Sequence, residues 1–377
     1  MFGKRIMLFQ LLGFKVHIDL SWLIIALLIT WSLAAGLFPH LYEGLSARTY
    51  WFMGVLGAAG LFMSIVFHEL FHSLVARRFG IPMKGITLFI FGGVAEMDEE
   101  PPSPKAEFYM AIAGPLSSVV LSLMLSAAAV AGGGVLPVSV SGVLNYLAFL
   151  NLVLAVFNLL PAFPLDGGRV LRSILWRWKN NIGWATRVSS QIGSGFGFAL
   201  IFIGVLSLMT GNLIGGIWQA MIGLFLRSAA QMSYQQVVVR RALEGETVRK
   251  FMSADPVTVP ASLSVKSLVS DYIYQYHFKM FPVIDNGKLA GCITTRQVKD
   301  VPREEWDFRS VRDVAVRCAT ENAVGPDLNA MKALALMKRT GNSRLMVVDD
   351  DRLVGIVSLK DIMNFLAVKL DLEEREE

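Results

Sequence analysis

The residues best placed to do chemistry are His68-Glu69-Leu70-Phe71-His72, in a stretch, 51–75, with no other charged residue or histidine. On a helix, positions four apart share a face, so His68 and His72 point the same way. Two imidazole nitrogens at that spacing can hold one zinc ion, and Glu69 can act as a general base toward water. A bare HExxH also arises by chance in soluble helices. Here its surroundings are apolar, and a carboxylate in a bilayer is costly, so a metal site supplies a physical reason for keeping it.

The elements that must position this cluster are membrane spans. Of 377 residues, 54% are hydrophobic and 17% charged, and the mean hydropathy is +0.52. That balance excludes an ordinary soluble protein. Residues 108–165 and 188–226 contain no Asp, Glu, Lys or Arg, and each run is long enough for two passes of about 20 residues. Gly132-Gly133-Gly134 with Pro137 divides the first run, and Thr210-Gly211-Asn212 divides the second. Six spans are expected, near 18–38, 51–76, 108–131, 143–165, 190–209 and 213–231. Through Met232 there are 14 Lys/Arg against 9 Asp/Glu, and with both termini cytoplasmic only Arg48 of the 14 falls outside. This positive-inside pattern accounts for the pI near 9.2 without nucleic acid as a partner. Lys4 and Arg5 precede the first span, but the long basic region, Asp19 and the later spans favour an uncleaved segment. Cys292 and Cys318 suggest no disulfide framework and fit a reducing cytoplasm.

A catalytic zinc usually has three protein ligands and one open position. Asp166 ends the first uncharged run, in Asn158-Leu159-Leu160-Pro161-Ala162-Phe163-Pro164-Leu165-Asp166-Gly167-Gly168-Arg169. Spans two and four both run inward, which places His72 and Asp166 at matching depth, and the two prolines break or kink the helix beside it. The alternative for Asp166 is an ordinary Asp-Gly turn at the membrane surface.

Taken together, HELFH on span two and N-x-x-P-x-x-P-L-D-G-G on span four, 94 residues apart from His72 to Asp166, resemble the site-2 protease family of intramembrane zinc metalloproteases. The resemblance covers most of residues 1–232. It implies that His68, His72 and Asp166 hold zinc, that Glu69 activates water, and that Asn158 positions substrate or the developing oxyanion. For Asn158 the alternative is a helix–helix hydrogen bond. The resemblance also implies a membrane-associated β-hairpin after span two, where residues 85–97 are rich in β-branched and aromatic residues around Gly92-Gly93. The edge of this hairpin, at Ile86, Leu88, Ile90, Gly92 and Gly93, is expected either to pair with an extended substrate by strand addition or only to pack on the core. Residues 98–102 read as a solvated loop. Gly193 and Gly197 form GxxxG in span five, a spacing suited to close helix packing. By resemblance, spans five and six could instead gate substrate entry.

The C-terminal part carries an internal repeat. Residues 281–294 align with 345–358 at an offset of 64, each unit reading strand, acidic turn, strand, then helix. This resembles a tandem pair of CBS domains, which implies adenine-nucleotide binding or, alternatively, ligand-free dimerisation. By the same resemblance, Ser358 and Asp361 in Ser358-Leu359-Lys360-Asp361 would contact phosphate and ribose. Thr294 opens a second copy in which Gln297 replaces the acid, so at most one good ribose site is expected.

The expected architecture is therefore an α-helical polytopic membrane protein, with six spans and a β-hairpin, joined to a cytoplasmic α/β tandem CBS module. Its divisions are 1–232 protease, 233–248 linker, 249–302 and 309–368 CBS units, and 369–377 acidic tail. The expected setting is a prokaryotic cell membrane. The implied activity is zinc-dependent cleavage of membrane-anchored substrates near the cytoplasmic face, such as an anti-sigma factor or a tethered regulator. Rival classes are a CBS-regulated ion transporter or channel, with Glu69 and Asp166 as cation ligands, and a non-catalytic zinc-binding membrane protein.

Overall fold

A computed structural model describes residues 5–89, 92–97, 100–316, 322–350 and 352–373. Ile90, Asp98, Glu99, Cys318 and the last four tail residues lie outside them. The chain divides into two compact units, Met1–Val237 and Val238–Glu377.

Among the described residues, six helices that begin in the first unit are long and apolar enough to cross a membrane: α1 (Leu20–Leu41), α2 (Ala47–Arg78), α3 (Pro104–Ala131), α4 (Val138–Asn158), α6 (Ile182–Met209) and α7 (Leu213–Leu243). Their starts are written in local chemistry. Asp19 caps α1 by accepting from the Ser21 backbone N–H at 3.0 Å. Ser46 caps α2 through the Thr49 N–H, and Ser103 caps α3 through the Ala106 N–H, each at 3.2 Å. Pro104 then occupies the first turn of α3, where no N–H is needed.

Two differences from the sequence expectation bear on the site. Span four is shorter at its C-terminal end than the expected 143–165. Helix α4 stops at Asn158, residues 159–165 are irregular, and a separate helix, α5 (Asp166–Lys179), begins at Asp166. Pro161 and Pro164 cannot donate to a helical ladder, which is the physical reason for the break. The expected linker 233–248 is largely helical, because α7 continues to Leu243.

The hairpin is part of a larger sheet. Strands β1 (Arg5–Leu11), β2 (Phe14–Asp19), β3 (Met83–Phe89) and β4 (Gly92–Met97) lie in that order. Leu12 and Gly13, both at positive φ, turn β1 into β2. β2 pairs parallel to β3, with Val16 opposite Ile86 and Ile18 opposite Leu88. β3 pairs antiparallel with β4. The sheet packs against α2, with Phe14, Val16, Ile18, Ile86 and Leu88 clustered around Val66 and Leu70. This contact holds the HExxH turns of α2 against the sheet.

Glycine brings helices into close contact where side chains would hold them apart. A Cβ on Gly197 would lie 2.7 Å from the Gly223 carbonyl oxygen, and one on Gly204 would lie 2.7 Å from that of Gly216, so α6 and α7 pack backbone to backbone. Gly193 faces the Phe163 carbonyl instead. The GxxxG of span five thus packs on both a helix and the irregular segment before Asp166.

In the second unit the repeat is structural. One sheet is β5 (Val259–Pro260), β6 (Met280–Asp285) and β7 (Lys288–Thr294). The other is β8 (Ala323–Val324), β9 (Arg344–Asp349) and β10 (Arg352–Ser358). Met280 pairs with Thr294 and Arg344 with Ser358, preserving the offset of 64. Asn286 and Asp350, both at positive φ, supply the left-handed residues that a tight hairpin turn requires. Each unit has its own core, one around Val265, Leu268, Phe281 and Ile293 and the other around Leu334, Leu345, Val347 and Ile362.

Candidate metal centre

Helix periodicity brings His68 and His72 to one face of α2, toward α3, and the irregular 159–165 segment delivers Asp166 to the same point. The His68 Nε2 and Asp166 Oδ2 atoms are 3.1 Å apart, His72 Nε2 and Asp166 Oδ2 are 3.1 Å apart, and the two Nε2 atoms are 3.2 Å apart. Both histidines are buried, at 3% and 8% exposure.

This triangle fits zinc. Tetrahedral ligands about 2.0–2.1 Å from a zinc ion lie roughly 3.3 Å from one another, close to all three separations. The outer nitrogens are already engaged. His72 Nδ1 donates to the Met110 carbonyl at 2.7 Å, and His68 Nδ1 is 2.9 Å from Ser118 Oγ. A backbone carbonyl can only accept, so Nδ1 of His72 carries a proton, and Nε2 is the ring nitrogen left to bind a cation. Three electron-rich atoms converging in an apolar helix bundle form the donor set of a cation.

Helix α3 makes this orientation possible. Met110, Gly114 and Ser118 are spaced by four and form one stripe along it. A Cβ on Gly114 would come within 2.6 Å of His68 Nε2 and closer still to His72 Nε2. Glycine therefore lets α3 approach until the residues one turn to either side reach the two Nδ1 atoms. None of these three residues is marked by charge or motif. The available signal was the small-residue cluster at 113–118 inside an uncharged span, a composition typical of helix contacts.

Glu69 and His68 line a cavity of about 400 Å³ together with Asn158, Gly93 and Phe89. Asn158 is thus brought to the same space as the HExxH glutamate. Gly93 is close because a Cβ there would lie 3.0 Å from Glu69 Cγ. Gly92 pairs with Phe89 at the hairpin turn. The edge expectation is corrected for Ile86 and Leu88. Both are core residues, at 0% and 2% exposure, in an interior strand paired on both sides. The N-terminal β1–β2 hairpin occupies that flank, and among the described residues the open edges belong to β1 and β4.

A buried ion pair braces the segment that bears Asp166. Arg172 of α5 donates through Nε to Glu107 of α3 at 2.6 Å and also contacts it through Nη2. Its guanidinium lies 5.1 Å from the centre of the Phe163 ring. Deeper in the bundle, Asn151 donates to Ser64 Oγ at 2.9 Å, joining α4 to α2 one helical turn before His68.

In the second unit, Ser358 and Asp361 meet each other. Asp361 Oδ2 accepts from the Ser358 N–H at 3.0 Å and from Ser358 Oγ at 2.5 Å, while Ser358 Oγ accepts from the Asp361 N–H at 3.2 Å and so caps the helix Leu359–Glu373. Thr294 and Gln297 form the equivalent capping box in the first half.

Comparison with known proteins places the chain in a class. Residues 56–137 and 127–204 match peptidase family M50, and residues 248–304 and 311–368 match the CBS domain. The chain is 35% identical over 362 residues to the "Putative zinc metalloprotease Rip3" of Mycobacterium tuberculosis, covering 95% of this chain and 92% of that protein. It is 32% identical over 316 residues to "Zinc metalloprotease MJ0392" of Methanocaldococcus jannaschii, covering 83% and 85%. Among solved structures, the site-2 protease from Methanocaldococcus jannaschii matches with 29% identity and a TM-score of 0.42, covering 61% of this chain and 94% of that one. The chain belongs to peptidase family M50, as a multi-pass membrane protein with two CBS domains.

Proposed function

We propose that the protein is a zinc-dependent intramembrane endopeptidase that cuts membrane-anchored proteins near the cytoplasmic face of a prokaryotic cell membrane. The observation that carries this is the near-equilateral set of His68 Nε2, His72 Nε2 and Asp166 Oδ2 beside Glu69 in a spanning helix. Zinc held by these three residues would supply Lewis acidity and lower the pKa of water at the site. Glu69 takes a proton from the attacking water and passes it to the leaving amine. Asn158 offers its side-chain amide to the developing oxyanion. Ser118 and the Met110 carbonyl keep both imidazoles aimed at the ion. His72 precedes Arg78 by six residues, or about 9 Å of helix, which sets the depth of the cut below the basic end of α2. The substrate is a transmembrane helix that must unwind before its peptide bonds are reachable. Strand addition to the open edge of β4, next to Gly92 and Gly93, provides one route.

The protease domain is assigned to 1–232 and the CBS units to 249–302 and 309–368, with both termini cytoplasmic. The CBS pair adjusts activity to an adenine nucleotide, with Ser358 and Asp361 as its principal contacts and Thr294 as a weaker one, and it supplies a homodimer contact. Quantitative mass spectrometry of membranes from cells expressing wild type or Glu69→Gln at equal levels tests the central reading. Membrane-spanning fragments should accumulate only in the variant, with cytosolic products only in wild type. Equal fragment profiles, with zinc bound in both proteins, would reject it.

A further inference from the structure

A second concavity of about 600 Å³ lies between α2 and α3 and shares no lining residue with the cavity beside Glu69. Its walls are two parallel stripes: Phe67, Phe71 and Val75 on α2, and Ile112, Leu116 and Val120 on α3, each spaced by four. Leu116 and Val120 are 59% and 45% exposed, so this face is open to its surroundings. Arg78 and Lys105 line the end where α2 finishes and α3 begins. The neighbouring Arg77 is committed elsewhere, donating to the Leu12 carbonyl and lying over the Phe14 ring. Arg78 and Lys105 are exposed, and neither pairs with a described carboxylate.

The shape and charge fit one occupant. From Lys105 to Val120 the groove follows 15 residues of helix, about 22 Å. One bilayer leaflet contains roughly 15 Å of hydrocarbon. A complete acyl chain therefore fits along the apolar walls with its headgroup level with the two cations. Close-packed aromatic and branched side chains suit such a chain, and two adjacent cations favour a net negative headgroup over a zwitterionic one.

We propose that this groove is a binding site for an anionic glycerophospholipid of the surrounding bilayer, its acyl chain between α2 and α3 and its phosphate at Arg78 and Lys105. The site abuts the backs of the metal ligands. Phe67 and Phe71 immediately precede His68 and His72, and Ser117, which lines the groove, precedes Ser118, the partner of His68. A bound lipid would steady α2 against α3 where the ligands are held.

Native mass spectrometry of the full chain tests this without reference to cleavage. Delipidated protein is titrated with phosphatidylglycerol or phosphatidylcholine bearing the same dioleoyl chains. The expected result is one retained phosphatidylglycerol per chain, bound about tenfold or more tighter than phosphatidylcholine. R78Q/K105Q should reduce that preference to about twofold or less. L116W, at an exposed wall position, should lower retention of both lipids, and V120W provides the same test should L116W misfold. Equal retention of the two lipids by wild type, a preference that survives R78Q/K105Q, or unaltered retention in the folded wall variant would each overturn the proposal in favour of a nonspecific lipid shell.

Discussion

Gly114→Ala tests whether α3, and not α2 alone, builds the metal site. The added Cβ would lie 2.6 Å from His68 Nε2 and closer to His72 Nε2, whereas ordinary contact begins near 3.4 Å. The His68 ring must therefore retreat by roughly 0.8 Å, and the His72 ring by more. Zinc–ligand distances tolerate only about 0.2 Å. Backing α3 away instead would stretch the 2.7 Å bond to Met110 and the 2.9 Å contact with Ser118, which share the same stripe. Either relaxation removes ligand orientation, which typically costs 10–100-fold in metal affinity. With both ligands disturbed, zinc affinity should fall about 100-fold, or roughly 2.8 kcal/mol. The assay is competition for zinc against a calibrated chelator, with metal content read by elemental analysis. Gly195→Ala is the control, because nothing lies within 4 Å of its Cβ position. Wild-type zinc affinity in a folded Gly114→Ala protein would refute the placement of α3 and the orienting role given to it.

Further perturbations separate the parts of the site. Glu69→Gln should retain zinc while lowering cleavage of a reconstituted substrate about 10³-fold, as loss of a general base does; loss of zinc as well would make Glu69 structural. Ser118→Ala should weaken zinc binding about tenfold without unfolding the protein, measured by the same competition. Arg172→Ala leaves Glu107, at 0% exposure, buried without its guanidinium, and should destabilise the protein by about 3–5 kcal/mol. Arg172→Met with Glu107→Met should recover most of that loss in thermal unfolding, unless the pair contributes more than charge compensation. Asp361→Ala should reduce adenine-nucleotide binding measured by calorimetry, whereas Thr294→Val should change it little; the opposite order would move the ribose contact to the first half.

Legibility followed the distance over which each feature is encoded. The HExxH geometry lies within four residues of one helix, so spacing alone aligns His68 with His72. The 64-residue repeat was readable because each half repeats its own strand–turn–strand pattern, and the six spans follow from uncharged runs in a solvent that forbids unpaired backbone. Asp166 stood out as the acid closing such a run, although its helix did not. A proline-broken segment followed by a short basic helix reads much like the ragged end of a span. The β-sheet was half legible. Residues 85–97 show strand composition, but nothing in 5–19 announces that β2 will pair parallel to β3 across the whole of α1 and α2. That pairing turns Ile86 and Leu88 from edge into core.

The sequence by itself thus singled out His68, His72 and Asp166 as candidate metal ligands, put the two histidines on one apolar helix long enough to cross a membrane, and marked a duplicated module after them. Tertiary structure decided what surrounds those atoms. It placed the Met110 carbonyl, Gly114 and Ser118 on one stripe of α3, set Glu107 against Arg172, and put β4 at one edge of its sheet. The physical reason is that these are contacts between residues tens of positions apart. They are made by groups common to every chain, such as a backbone carbonyl, a glycine or a serine, whose roles come from the neighbour that folding supplies.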